Sequence, residues 1–227
     1  MSSSSGGQGS DIVEIAVAYT YNPEYFNNIK GNPNRGIVVR PITNGTDQIT
    51  LLGIATAAFD YAVGFPPTTI QVLAIGAGGD NIGGAAGGSG YYGWAQFTTI
   101  PDVNETLTIN VNVGMTVSGG NGQSTTVSIP SYVPTITATG GGNGNNPYGQ
   151  NPGSWLGAGA GFGTTSVIPS AYIRPESLQI WRDLAYTQFV ALGFGGGGLV
   201  CDTNYDSYNI VKQPGVVFLF IRGVVYY

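Results

Sequence analysis

Glycine is concentrated in three tracts of this chain, each near a run of strand-forming residues. Nine of the eighteen residues 76–93 are glycine, and they follow the strand-like run Thr69–Ile75. Further tracts occupy 140–163 and 193–198, and the strand-like run Val216–Ile221 comes after the last one. Each glycine loses more backbone entropy on folding than any other residue. A chain with 38 glycines in 227 residues is therefore expected to use backbone itself as packing material, which favours a structural component over a catalyst.

The composition predicts a folded protein that associates. Hydrophobic residues make up 42% of the chain, with 14 Tyr and 9 Phe, which is too apolar for disorder. Charged residues are 8%, far below the usual ~25%. Low charge weakens self-repulsion, so a homo-oligomer is expected. Seven scattered basic residues and a net charge of −5 argue against binding nucleic acid through its phosphates.

Residue types needed for common catalytic sites are missing. The chain has no histidine and a single cysteine, Cys201, so a Ser-His or Cys-His nucleophile pair is excluded. Asp202, Asn204 and Asp206 have a spacing that could offer oxygens to Ca²⁺, but without the terminal Glu of an EF-hand a polar turn explains them better. No cofactor and no metal are predicted. Residues 1–7 lack the features of a signal peptide, and the longest apolar run, 215–225, is too short to insert into a membrane.

The tract Gly76–Asp80 after a strand resembles the start of a dinucleotide-binding fingerprint. That motif needs a third glycine three residues past the second and a helix opening there. The position holds Asn81, and the glycine-rich residues that follow cannot start a stable helix. The nucleotide interpretation is therefore rejected.

Short strands separated by turn residues predict an all-β fold. Residues 106–113 alternate polar and apolar side chains without a fault, which is typical of a strand with one face in the core. Such strands with regular turns favour an antiparallel β-sandwich, jelly-roll-like, with long glycine-rich loops. The alternation at 12–21 likewise predicts a half-buried strand. The other strand predictions are 37–42, 48–54, 57–63, 68–75, 94–100, 125–129 and 135–138, with a turn at Asn44-Gly45.

Two segments carry helix signals. Asn22 followed by Pro23 and Glu24 predicts a short helix to about residue 29. Apolar residues at helical spacing, with Pro175 at the start and Gly193 past the end, predict a longer helix over 175–192.

Aromatic residues in or beside the glycine tracts are the candidate contact residues. They could stack on a glycan or a partner surface, or they could wedge glycine-lined backbone layers. These residues are Tyr91, Tyr92, Trp94, Tyr148 and Trp155.

Residues 68–222 show a pattern that resembles the glycine-rich domain of phage tail fibres, tail-tip adhesins and some large-virus virion proteins. The pattern begins with a strand, a glycine tract and two more strands, the second of which ends in Val113-Gly114. The segment 119–127 and a further strand with glycine come next, and residues 193–198 and 216–221 complete the pattern. The resemblance implies closely packed, extended glycine segments with backbone-to-backbone hydrogen bonds, and loops that contact a host surface. The predicted helix at 175–192 and residues 11–63 depart from the pattern, which makes them candidates for the specific docking surface.

The sequence thus predicts three parts: a flexible Ser/Gly arm at 1–10, an N-terminal β region at 11–67 and a glycine-rich β-sandwich domain at 68–227. The resemblance implies a non-enzymatic virion protein of a tail fibre or tail tip, a trimer if it forms a fibre, with other virion proteins and a host-surface glycan or protein as partners. A minor capsid or cement protein is the alternative in the same class. A carbohydrate-binding module or polysaccharide-degrading spike is the alternative from a different class.

Overall fold

Nine strands and one short α-helix make up the described part of the chain. The computed structural model describes residues 10–26, 34–59, 65–80, 90–143 and 213–226. The elements in chain order are β1 (Ser10–Tyr19), a 3-10 turn (Pro23–Phe26), β2 (Arg35–Arg40), β3 (Asn44–Ile49), α1 (Leu51–Ala58), β4 (Pro67–Ile75), β5 (Tyr92–Gln96), β6 (Leu107–Asn112), β7 (Thr125–Ile129), β8 (Val133–Ala138) and β9 (Val216–Tyr226).

The strands form two sheets that pack face to face. The first sheet, sheet A, has the order β2-β1-β9-β4-β5, and the second, sheet B, has the order β3-β6-β7-β8. All pairings are antiparallel except that of β1 with β2, which is parallel. The prediction of an all-β sandwich is confirmed. Strands β1 to β3 belong to the same two sheets as the later strands, because β1 pairs with β9 and β3 with β6.

Alternating side chains place the main core between the two sheets. Leu107, Ile109 and Val111 of β6 are buried, whereas Thr108 and Asn110 are half-buried and Asn112 is exposed. This confirms the inward and outward alternation predicted for residues 106–113. The observed bounds of β7, 125–129, equal the predicted ones.

From residue 13 onward, strand β1 is buried on both faces, although Ile12 near its start is exposed. The prediction of a half-buried strand is therefore wrong. Val17 and Tyr19 face the core between the sheets, while Ala16 and Ala18 join a second apolar cluster on the other face, and all four are 0% exposed. That second cluster includes Phe218 and Phe220 of β9, whose rings stack 5.3 Å apart. The alternation of apolar residues predicted the face toward the core between the sheets correctly. The small alanines on the other face did not indicate that it is buried as well.

The region 48–59 is largely a helix where two strands were predicted. Thr50 caps α1, because its Oγ1 accepts a hydrogen bond from the Gly53 N–H at 3.0 Å. Leu51, Ile54 and Ala55 lie at helical spacing and are buried. The predicted turn at Asn44-Gly45 is also wrong, since both residues belong to β3.

The predicted helix after Asn22 is a four-residue 3-10 turn over 23–26, and its predicted end lies outside the described residues. The predicted helix at 175–192, the glycine tract at 193–198 and residues 1–9 of the predicted arm 1–10 also lie outside them. Ser10, the last residue of that arm, is the first residue of β1.

Candidate functional site: the glycine bundle

Six strand ends meet at one end of the sandwich and continue there as glycine-rich backbone. Strands β4, β6 and β8 end there, and β5, β7 and β9 begin there. We call the continuing segments the glycine bundle, and they comprise residues 76–80, 90–91, 114–123, 139–143 and 213–215. The described residues on either side of 81–89 and of 144–212 belong to this bundle. Both of these segments between strands therefore begin and end at the bundle.

The hydrogen bonds of the segment 76–80 have a period of three residues. Gly76 N donates to Tyr91 O at 2.8 Å, Ala77 N to Gln123 O at 3.0 Å and Gly78 N to Gln213 O at 2.9 Å. These three consecutive donors thus reach three different segments of the bundle.

Asp80 N then returns to the segment that Ala77 reached, donating to Gly120 O at 3.0 Å. A β-strand would direct its N–H groups alternately to two sides, whereas a polyproline-II helix turns once every three residues and has no internal hydrogen bonds. The segment therefore has the hydrogen-bond pattern of a polyproline-II helix surrounded by neighbours.

Glycine is required in the bundle because backbone fills the space that a side chain would occupy. A Cβ on Gly76 would overlap the carbonyl group of Thr139, and one on Gly140 would overlap the carbonyl group of Gly122. A backbone carbonyl oxygen would likewise be too close to a Cβ at Gly79, Gly90, Gly114, Gly122 and Gly215. The bundle thus buries backbone against backbone, with almost no side chain between its segments.

Side chains tie the outer part of the bundle together. Asp80 Oδ2 accepts from the Gly119 N–H at 2.7 Å, and Gly119 has a positive φ of 65°. Asn143 donates from its backbone N–H to Asn121 Oδ1 at 2.8 Å and from Nδ2 to the Gly119 carbonyl at 3.3 Å. These contacts fix the points at which residues 81–89 and 144–212 leave the described chain.

The predicted contact residues occupy unequal environments. Tyr91 is 8% exposed, which leaves little ring surface for a ligand. Trp94 is half-buried and packs against the second apolar cluster. Tyr92 lies at the start of β5. Tyr148 and Trp155 lie outside the described residues, so the structure describes the surroundings of the other three candidates alone.

The bundle cannot act as the phosphate cradle that the pattern of Gly76–Asp80 resembles. A phosphate site would need backbone N–H groups free to point at the ligand. Four of the five N–H groups in this segment donate to backbone oxygens of the protein instead.

A buried polar cluster links the two sheets on the side of β2 and β3. Asp47 of β3 is 4% exposed and receives hydrogen bonds from Arg40 Nε and Nη2 at 2.8 and 2.7 Å. Tyr19 Oη of β1 donates to the same carboxylate at 3.1 Å, and Gln48 N donates to it at 2.9 Å. This arrangement is a bidentate Arg–carboxylate pair with two further donors, a well-satisfied structural cluster.

Burial and charge act against each other on Asp47. Burial alone would raise the pKa of this carboxyl, but hydrogen bonding and charge from Arg40, with the bonds from Tyr19 and the Gln48 N–H, lower it below its usual value. The pKa of Tyr19 is strongly raised, mainly by burial and also by the Asp47 charge and hydrogen bond. Asp47 is therefore ionised and Tyr19 protonated at neutral pH.

The outer face of sheet B carries no charged side chain among the residues that the structure describes. Thr46 Oγ1 donates to Asn110 Oδ1 at 2.9 Å, and Asn110 Nδ2 donates to Ser128 Oγ at 3.3 Å, which forms a ladder across three strands. The face consists of Asn44, Thr46, Gln48, Thr108, Asn110, Asn112, Thr126, Ser128, Thr135 and Thr137.

Comparison with known proteins gives no relative. No family model matches the chain, and neither curated proteins nor solved structures include a match.

Within the described ranges, no three His, Cys, Asp or Glu side chains come together as a group that could hold a metal ion. No helix among the described residues is long and apolar enough to cross a membrane.

Proposed function

We propose that the chain is a non-enzymatic structural protein of a virion, a component of a phage tail fibre or tail tip that contributes to assembly or host attachment. The glycine bundle is the observation that carries this proposal. It has the packing that the resemblance implies: extended segments, hydrogen bonds between backbones, and glycine where a side chain would overlap a neighbouring carbonyl.

The geometry of the bundle supports a presenting role. Backbone hydrogen bonds are directional and the sandwich holds the strand ends in register, so the bundle is a fixed platform. Residues 81–89 and 144–212 start from this platform, and 144–212 contain Tyr148 and Trp155. Contact with a partner or host surface is therefore proposed at this end of the molecule.

A minor capsid or cement protein is the second candidate, and the outer face of sheet B favours it. Ten uncharged side chains that offer hydrogen-bond donors and acceptors can lie against a neighbouring subunit without unpaired buried charge. In this arrangement the low charge of 8% follows from burial in a shell.

Locating the protein in intact particles tests both candidates. Gold-labelled antibodies raised against the purified chain would mark tail fibres or tail tips under the first proposal and the shell under the second. Light scattering of the purified protein gives a second readout, with a trimer expected for a fibre. Absence of the protein from purified particles would refute both candidates.

A further inference from the structure

Tyr132 and Glu105 form an aromatic and acidic cluster at the end of the sandwich opposite the glycine bundle. The Tyr132 ring stacks on the Phe97 ring, with centroids 5.2 Å apart and an interplanar angle of 16°. Tyr132 Oη lies 2.7 Å from each Glu105 carboxylate oxygen and donates to this carboxylate. Phe97 covers one ring face, and Tyr132 is half-buried, so part of its side chain is accessible to solvent. We call Phe97, Glu105, Ser131 and Tyr132 the Tyr132 cluster.

The turn that presents Tyr132 is strained. Ser131 has a φ of 71°, the one positive φ at a non-glycine residue in the described ranges. Tyr132 N donates to Ile129 O at 3.0 Å, and Pro130 precedes Ser131, so residues 129–132 have the features of a type II turn, whose third position normally needs glycine. Such strain in a non-glycine residue is concentrated at binding and active sites in proteins.

Within the described ranges, no basic side chain balances the charge of the cluster. The loop 97–106 contains Asp102 and Glu105 and no basic residue, and the turn 129–135 contains no charge. Both acids are exposed. Among the residues that the structure describes, Glu105 has Tyr132 as its hydrogen-bond partner and no arginine or lysine. The cluster therefore combines a negative charge with the negative face of an aromatic ring.

We propose that the Tyr132 cluster is a binding site for a cationic side chain of a protein partner, arginine in particular. A guanidinium can contact the exposed part of the Tyr132 ring and donate two hydrogen bonds to the Glu105 carboxylate at the edge of that ring. Phe97 and the hydroxyl bond hold both groups in place before binding, which lowers the entropic cost. A neutral sugar could use the ring but would leave the carboxylate charge unpaired. This inference does not rest on the virion role.

Binding of a blocked tri-arginine peptide to the purified protein, followed by NMR, tests the site. We expect saturable shifts at the Tyr132 ring and Glu105 that weaken when salt rises from about 20 mM to about 200 mM, because salt screens an exposed charge pair. Glu105→Gln should lower the affinity about fivefold. Glu24→Gln, which removes an exposed carboxylate elsewhere on the surface, should leave it unchanged.

Two contrary results would overturn the proposal: no shifts with tri-arginine, or equal affinity in Glu105→Gln and the parent. Methyl glucopyranoside is the second probe, and saturation of the same resonances by this sugar, independent of salt and of Glu105, would make the cluster a glycan site instead. Tyr132→Phe separates the two groups further, because it keeps the ring and releases the carboxylate, so it should weaken tri-arginine binding less than Glu105→Gln does.

Discussion

Replacing Gly76 by alanine should destabilise the protein far more than replacing Gly120, although both lie in the glycine bundle. A Cβ on Gly76 would lie 2.8 Å from the Ala138 carbonyl oxygen and closer still to the carbonyl group of Thr139. The Thr139 oxygen is held by the Tyr91 N–H at 2.8 Å, and Gly76 N itself donates to Tyr91 O at 2.8 Å. Relieving the overlap must therefore move backbone that takes part in two hydrogen bonds.

The cost follows from these contacts. Loss of two backbone hydrogen bonds costs about 2 kcal/mol, and forcing extra volume into packed structure adds about 1–3 kcal/mol. Gly76→Ala should thus lower the free energy of unfolding by about 3–5 kcal/mol, a large part of the ~5–15 kcal/mol typical of a domain. At Gly120 the nearest atom to a Cβ is Val117 Cγ1 at 3.0 Å, and the nearest backbone atom is 4.0 Å away. Since Val117 is an exposed side chain that can move, Gly120→Ala should change stability by less than about 0.5 kcal/mol.

Urea unfolding of both variants, followed by circular dichroism, measures the difference. Thermal melting gives a second readout, with a loss of roughly 10 °C expected for Gly76→Ala in a chain of this size. Gly140→Ala, which meets the Gly122 carbonyl group, should behave like Gly76→Ala. If the Gly76 and Gly120 variants unfold within about 0.5 kcal/mol of each other, backbone-to-backbone packing does not hold the bundle together.

Three further predictions concern the sandwich. Ser131→Gly should raise the free energy of unfolding by about 0.5–1 kcal/mol in urea titrations, because glycine adopts the positive φ without strain; a loss of stability would contradict the turn geometry. Asp47→Asn should lower the free energy of unfolding by about 2 kcal/mol at pH 7. The loss is smaller than that expected for a fully buried ion pair, because Arg40 is 31% exposed. Since folding lowers the pKa of Asp47, its stabilisation is present above the unfolded pKa of about 4 and is lost as pH falls through the lower folded value. Unfolding of the Asn variant should therefore vary less with pH below about 4, and an unchanged acid profile would refute this. Thr50→Ala should cost about 1 kcal/mol, measured by thermal melting, because it removes the cap on the Gly53 N–H.

Local patterns predicted those strands that have one core face and one polar face. Residues 106–113 and 125–129 alternate and are bounded by turn residues, so their period of two was sufficient. The prediction of strands over the segment 48–58 was wrong because a short apolar run fits both a helix and a strand. The signal that distinguishes them was present, since Thr50 is a helix cap and Leu51, Ile54 and Ala55 have helical spacing.

The candidate sites were less predictable because they depend on contacts between distant residues. Glycine content indicated packed backbone, but nothing local showed that residues 77, 123 and 141 would meet. Tyr132 was missed as a contact residue since its partners, Phe97 and Glu105, are 35 and 27 residues away in sequence. Pro130 followed by Ser131, between two predicted strands, was the one available signal, and it does not by itself indicate positive φ.

The glycine bundle and the sandwich depend on each other physically. The bundle has almost no side chains to bury, so it gains little from the hydrophobic effect and bears the backbone entropy cost of glycine in full. The sandwich supplies the missing stabilisation, because buried strands deliver six chain ends to the bundle already in register and thereby lower its entropic cost. In return, the bundle spaces those ends mainly by backbone hydrogen bonds. The side chains of Asp80, Asn121 and Asn143 add hydrogen bonds at the points where residues 81–89 and 144–212 begin. The anchor points of residues 81–89 and 144–212 are thus held by backbone hydrogen bonds and a few polar side chains, which is the physical reason why we propose partner contact at this end.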